Sequence, residues 1–126
     1  MGFDAQLYLE NDKMDCTLHD SLRIFRKWQD KKSDVYVKAN IGPASFSLVG
    51  KVGQVQEDEV QIGAGLRPFT LRLSGAMFTF DDNLEWPESR RPSLPQGIPV
   101  SGLWVNLFLE KQLLGGCVFL ELRSSD

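Results

Sequence analysis

Four polar side chains near the start of the chain are the first candidates for binding chemistry. His19 is the only histidine of the chain, and a helical wheel places it on the same side as Arg23, Arg26 and Lys27. Clustered cations attract a polyanion because its binding releases condensed counterions. This face is therefore a candidate site for a nucleotide or a nucleic acid. The alternative is an ordinary solvated helix face, whose positive charge the neighbouring aspartates dilute.

The remaining reactive side chains do not have a spacing that indicates catalysis or metal binding. The acidic runs at 57–59 and 81–85 lack the spaced ligands and interior glycine of a calcium-binding loop. Ser74-Gly75 lacks the glycine-flanked motif of a serine nucleophile. A lone histidine without a neighbouring nucleophile or paired carboxylates provides no acid–base pair. We therefore predict a protein that is not an enzyme and that has no metal and no cofactor.

A second candidate surface lies in a long segment rich in proline. Residues 83–102 contain four prolines and show no apolar periodicity, which predicts a long loop within the domain. Trp86, Arg90 and Arg91 lie in this loop, and tryptophan and arginine are the residues most common in interface hot spots. The segment is thus a candidate partner surface. The alternative is a loop whose Trp86 packs on its own domain.

The elements that position these side chains begin with a helix. Thr17 and Asp20 have the spacing of a capping box. An apolar stripe at helical spacing follows, formed by Leu18, Leu22, Phe25 and Trp28, with Ile24 at its edge. The basic residues around Lys32 favour the negative end of the helix dipole, so the helix is expected to end before Asp34.

Alternation of apolar and polar residues predicts antiparallel strands on both sides of the helix. The expected strands cover 3–9, 35–39, 44–56, 60–62, 69–80 with an interruption at Ser74-Gly75, 103–109 and 118–122. Gly50 and Gly53 indicate a bulge or sharp bend in the long strand. A turn at Gly115-Gly116 is expected to lead into the last strand. The alternative for 3–9 is a frayed tail.

The strand at 103–109 is apolar on both faces. Trp104 and Phe108 lie on the face opposite to the regular apolar positions. Strands of this kind are usually central in a sheet or buried at an interface. Trp104 and Phe108 are therefore candidate interface residues.

The segment 46–62 resembles the first motif of the Sm-like small β-barrels. Phe46-Ser47-Leu48-Val49-Gly50-Lys51-Val52 alternates apolar positions around a central glycine, and Asp58 precedes the next strand. The resemblance covers residues 16–65 and implies a small barrel that forms rings through its edge strands. It does not imply RNA binding, because Gly115-Gly116 lacks the arginine of the second Sm motif.

A less complete resemblance is to the PilZ barrels, which bind a cyclic dinucleotide. Arg23 and Lys27 are spaced like part of the arginine-rich PilZ motif, and Ser45-Phe46-Ser47-Leu48-Val49-Gly50 is similar to its second motif. Both motifs depart from the family pattern by one residue. The first also lies in the expected helix rather than in an extended linker.

Composition and charge limit the class of protein. The 126 residues are enough for one domain, and a net charge of −3 gives no overall attraction for nucleic acid. We expect no signal peptide and no membrane association, and therefore a cytoplasmic protein. In that compartment Cys16 and Cys117 are expected to be reduced, the alternative being a disulfide between them.

Together these features predict an α+β domain, mostly antiparallel β, with one N-terminal amphipathic helix packed on a bent small barrel or sandwich. The predicted function is a non-catalytic binding or assembly module that forms a homo-oligomer. The alternative is nucleic-acid or nucleotide binding through the basic helix face.

Overall fold

A computed structural model describes residues 13–63, 68–82, 97–109 and 111–123. In these residues the chain forms one helix and eight strands, which confirms the predicted α+β class. The elements are β1 (Lys13–Cys16), α1 (Leu18–Lys31), β2 (Asp34–Ile41), β3 (Ala44–Val55), β4 (Glu59–Ile62), β5 (Phe69–Arg72), β6 (Met77–Asp81), β7 (Ile98–Leu109) and β8 (Gln112–Arg123). The strand expected at 3–9 lies outside the described residues.

The strands form one antiparallel sheet with the order β1-β6-β7-β8-β2-β3-β4-β5. Since β1 and β5 are its two edges, the described strands do not close into a barrel. The sheet bends within β3, which pairs with β2 over 44–51 and with β4 over 52–55. The register shifts between Val52 and Gln54, and a Cβ atom at Gly53 would lie 3.0 Å from the carbonyl oxygen of Gly63. The predicted bend is thus confirmed.

Helix α1 begins and ends as its sequence predicts. The Thr17 hydroxyl accepts a hydrogen bond from the Asp20 backbone N–H at 3.1 Å, and the Asp20 carboxylate accepts one from the Thr17 backbone N–H at 3.2 Å. Hydrogen bonding of the Asp20 carboxylate to the Thr17 backbone N–H, and secondly to the Thr17 hydroxyl, lowers the pKa of Asp20. Lys32 ends the helix in the left-handed conformation with φ of 56°, and its backbone N–H donates to the carbonyl of Gln29.

The apolar stripe of α1 packs on the centre of the sheet. Phe25 and Trp28 are buried, and their rings meet edge to face. Phe25 also meets the ring of Phe119 edge to face, with centroids 4.9 Å apart. Phe119 of β8 lies in register with Leu103 and Val37 on the neighbouring strands, and all three are fully buried. Each such side chain stabilises the fold by about 1.5–3 kcal/mol.

One turn prediction and one strand prediction are wrong. Gly115 and Gly116 lie inside β8, and the chain reverses near Lys111, which has a positive φ of 71°. Gly115 is needed for a different reason, because a Cβ atom there would collide with the carbonyl oxygen of Asn40 in β2. Ser74-Gly75 does not interrupt one strand but separates β5 from β6, which lie in distant parts of the sheet.

The prediction that residues 83–102 form a loop is wrong for residues 98–102. β7 begins at Ile98, so residues 98–102 belong to a strand, while residues 83–96 lie outside the described part of the chain. The sequence does not indicate this strand because it contains Pro99, and proline lacks the N–H that donates hydrogen bonds within a sheet. The strand tolerates it because the register with β8 shifts between Pro99 and Ser101.

Candidate functional site

The four residues of the predicted basic face are all exposed on α1. Lys27 also lines a cavity between α1 and the sheet. His19, Arg23 and Arg26 do not line this cavity. The helix therefore presents the expected cations to solvent, and one of them adjoins a concave site.

The predicted partner surface is only partly described. Trp86, Arg90 and Arg91 lie outside the described residues. Trp104 and Phe108 are half-buried on β7, which is an interior strand of the sheet as predicted. A Cβ atom at Gly102 would lie 2.9 Å from ring atoms of Trp104. The indole therefore covers its own strand at Gly102, and part of its surface is already used within the domain.

A cavity of about 490 Å³ lies between the second half of α1 and the adjoining ends of β6, β7 and β8. We call it the helix–sheet cleft. Its apolar lining residues are Ile24, Trp28, Phe80 and Val100. Its polar lining residues are Lys27, Lys31, Asp82, Ser101, Glu121 and Arg123. The volume lies in the range of roughly 300–1,000 Å³ that is usual for small-molecule sites.

The helix and the sheet bring these polar residues together from distant parts of the sequence. Lys27 and Lys31 are four residues apart and so lie one helical turn apart on the same side of α1. Glu121 of β8 faces Ser101 of β7 and Val35 of β2 in the register. Because Val35 belongs to the buried core, this row of the sheet faces the helix.

Glu121 is the most constrained charged residue of the cleft. It is only 5% exposed. Its carboxylate accepts hydrogen bonds from Ser33 Oγ at 2.8 Å and Ser101 Oγ at 2.9 Å, and it lies 2.6 Å from Lys31 Nζ. Burial acts to raise the pKa of Glu121, but the hydrogen bonds from Lys31, Ser33 and Ser101 outweigh it and hold the pKa below its ordinary value. The carboxylate is therefore ionised and fully engaged at neutral pH.

The other charged residues of the cleft are less constrained. Among the described residues, Lys27, Asp82 and Arg123 have no ion-pair partner within salt-bridge distance. All three are exposed at the cleft rim. Two cations and one carboxylate without an ion-pair partner in the described part of the chain thus lie beside apolar side chains, an arrangement suited to holding a small charged molecule.

A second, smaller depression lies on the opposite face of the sheet. It has a volume of about 210 Å³ and is lined by residues of β2, β7 and β8, among them Asn40, Trp104 and Asn106 around Gly116. Its volume is less than half that of the helix–sheet cleft. The cleft is therefore the better candidate site.

The two cysteines do not form a disulfide, as the sequence predicts. Cys16 lies in register with Phe78, Phe78 with Val105, and Val105 with Cys117, so two strands separate the thiols. This separation exceeds the Cα distance of about 7 Å that a disulfide tolerates. Burial raises the pKa of Cys117 to about 12, which makes it a poor nucleophile.

Sequence reasoning missed Lys31, Ser101, Glu121 and Arg123 as site residues. One signal was available for Glu121, because it is the only charged residue within the otherwise apolar run 118–122. A charge in such a run indicates a paired, buried group. Nothing in the sequence indicated which residues would pair with it.

No family model, curated protein or solved structure matches this chain. The resemblance to the Sm-like barrels therefore stays a prediction. Within the described ranges no group of three or more His, Cys, Asp or Glu residues is placed to hold a metal ion. No helix in that part of the chain is long and apolar enough to cross a membrane.

Proposed function

We propose that the protein is a non-catalytic binding module whose ligand occupies the helix–sheet cleft. The observation that carries this proposal is the convergence of Lys27, Asp82 and Arg123, all without an ion-pair partner among the described residues, on a cavity of about 490 Å³. Concave sites with an apolar wall and a few convergent polar groups are the usual form of small-molecule sites.

The same geometry favours binding over catalysis. Ser101 donates its hydroxyl hydrogen to Glu121, and Glu121 is held by three donors. Both groups are also almost fully buried, with Ser101 3% and Glu121 5% exposed, so a ligand in the cleft has little access to either as a nucleophile or a general base. Cys117 does not line the cleft.

A blocking variant tests this proposal. A fragment library is screened by two-dimensional NMR, and amide shifts are mapped on the structure. We expect fragments that shift the amide signals of Trp28 and Ser101. Lys27→Trp, which places an indole at the cleft rim, is expected to abolish their binding. Arg26→Trp is the matched control, because it makes the same change at an exposed helix position that does not line the cleft. Equal binding to both variants would reject the cleft as the site.

Self-association is a second proposal, supported by exposed apolar residues at one end of the sheet. Met77 begins β6 and is 60% exposed, and Leu113, near the start of β8, is 64% exposed. Leu114, next to it, is also exposed. Large apolar side chains that are exposed in this way can contribute to an interface. Light scattering after size-exclusion chromatography tests the proposal: an oligomer that Leu113→Glu with Leu114→Glu dissociates supports it, and a monomer at micromolar concentration rejects it.

Nucleic-acid binding through the basic helix face is a separate candidate, supported by the exposure of all four predicted residues. If it is correct, binding weakens steeply with salt. The double variant Arg23→Glu with Arg26→Glu then abolishes it, while Lys38→Glu on the sheet does not. Absence of binding at low salt would remove this candidate.

A further inference from the structure

The charge inside the helix–sheet cleft is unequally distributed. Lys31 and Glu121 neutralise each other in an ion pair of 2.6 Å. Three charged residues of the described lining are left to meet a ligand, namely Lys27, Arg123 and Asp82. Two of these are cations and one is an anion, so the described lining that is open to a ligand carries a net charge of +1. This sign is opposite to that of the whole chain, whose net charge is −3.

The ion pair also determines which cation meets the ligand. Lys31 lies one helical turn beyond Lys27, but its ammonium group is already held by Glu121. Glu121 itself is held in place by two serine hydroxyls. Lys27 has no such partner among the described residues, and neither has Arg123 at the end of β8. An incoming anion therefore finds two cations whose charge is not yet satisfied.

Part of the wall of the cleft is apolar. Ile24 on the helix, Phe80 on β6 and Val100 on β7 are only partly buried and line the cavity. Trp28 lies among them but is almost fully buried. Burying partly exposed apolar surface is favourable at roughly 25 cal/mol per Å². A ligand with an apolar body gains this contribution, and a simple inorganic ion does not.

We propose that the ligand of the cleft is a small organic anion, whose carboxylate is held between Lys27 and Arg123 while its apolar body packs on Ile24, Phe80 and Val100. This inference rests on the proposed binding function and adds the class of ligand. Asp82 opposes such a ligand, because its carboxylate lies in the same cleft and repels the anion.

Three aromatic probes of similar size and different charge test the ligand class. Benzoate is negative, benzyl alcohol is neutral and benzylammonium is positive at neutral pH. Each is titrated at millimolar concentration into the isotope-labelled protein, and the amide shifts of Trp28 and Ser101 are followed by NMR. We expect benzoate to bind most tightly and inorganic phosphate to bind less tightly than benzoate.

Charge variants then test the residues. Lys27→Gln and Arg123→Gln are each expected to weaken benzoate binding by about two- to fivefold, the effect of one exposed ion pair. Asp82→Asn is expected to strengthen it by a similar factor. Arg26→Gln is the matched control and is expected to leave it unchanged. All four positions are exposed, so the variants are expected to fold, and unchanged spectra in the absence of probe verify this.

Each outcome separates the ligand class from the proposed function. If benzyl alcohol or benzylammonium shifts the cleft signals at lower concentration than benzoate, the anion inference is overturned and the binding function stands. If Asp82→Asn binds benzoate more weakly than wild type, the anion inference is likewise overturned and the binding function stands. If none of the probes shifts the cleft signals at millimolar concentration, both the ligand class and the proposed function are overturned.

Discussion

Replacing Glu121 by glutamine changes the best-satisfied charge of the cleft while keeping the shape of the side chain. Glutamine keeps one acceptor oxygen but turns an amide N–H₂ group toward donors, so the ion pair with Lys31 and one serine hydrogen bond are lost. Hydrogen bonds to charged groups contribute about 1.5–3 kcal/mol each. Because the Lys31 side chain is 51% exposed, water recovers part of its loss. We expect Glu121→Gln to lower the free energy of unfolding by about 2 kcal/mol.

A second ion pair in the chain provides a matched control. Lys51 Nζ lies 2.6 Å from Asp34 Oδ1, the same separation as in the Lys31–Glu121 pair. The Asp34 side chain is 45% exposed, however, whereas that of Glu121 is 7% exposed. Exposed ion pairs contribute less than about 1 kcal/mol. Asp34→Asn is therefore expected to cost less than half as much as Glu121→Gln.

Urea unfolding at neutral pH measures the free energy of unfolding that each variant loses. Repeating the measurement at lower pH tests whether the loss in Glu121→Gln comes from the ionised carboxylate. Since the pKa of Glu121 is lower in the folded than in the unfolded state, its carboxylate stabilises the fold fully above the ordinary carboxyl pKa. This contribution is lost as the pH falls through the lowered pKa of the folded state. The difference in the free energy of unfolding between wild type and Glu121→Gln must therefore become smaller in acid. Two results would contradict this prediction. One is an equal loss of unfolding free energy in Glu121→Gln and Asp34→Asn at neutral pH, and the other is a difference between wild type and Glu121→Gln that stays the same in acid.

Three further predictions concern the helix and the sheet that carry the cleft. Thr17→Ala removes the N-cap of α1 and is expected to cost about 1 kcal/mol in urea unfolding; an unchanged midpoint would contradict the capping box. Gly115→Ala forces β8 away from β2 and is expected to cost about 1–3 kcal/mol. Gly116→Ala, whose nearest new contact is 3.4 Å, should cost measurably less by the same assay. A thiol reagent is expected to modify the partly exposed Cys16 before Cys117. Mass spectrometry of samples taken at successive times gives the order of modification. The reverse order would contradict the prediction and show that β8 opens readily.

Local signals in the sequence were sufficient for the helix and for the bent strand. The capping box at Thr17 and Asp20 fixes the start of α1, and the apolar stripe fixes the side that is buried. The glycines of β3 mark the bend because a side chain there would meet the backbone of Gly63. These features depend on neighbours a few residues apart or on steric limits of single residues.

The errors arose where distant contacts give a residue its role. Gly115-Gly116 has the composition of a turn, but Gly115 is required by the close approach of Asn40 on another strand. Pro99 suggests a loop, but a register shift against β8 accommodates it. In both cases the pairing partner lies far away in the sequence.

The cleft itself was not predictable from sequence pattern. Its charged residues come from α1, from the end of β6 and from β8, and only the fold of the sheet under the helix brings them together. The sequence identified Lys27 as part of a cationic helix face, and the structure adds that it shares a cavity with Arg123.

A crystal structure of the protein soaked with benzoate tests most directly whether the helix–sheet cleft is the ligand site. We predict that the bound molecule lies in the cleft with its carboxylate within hydrogen-bond distance of Lys27 and Arg123 and its ring against Phe80. An empty cleft, or benzoate bound only elsewhere on the surface, would contradict the proposal.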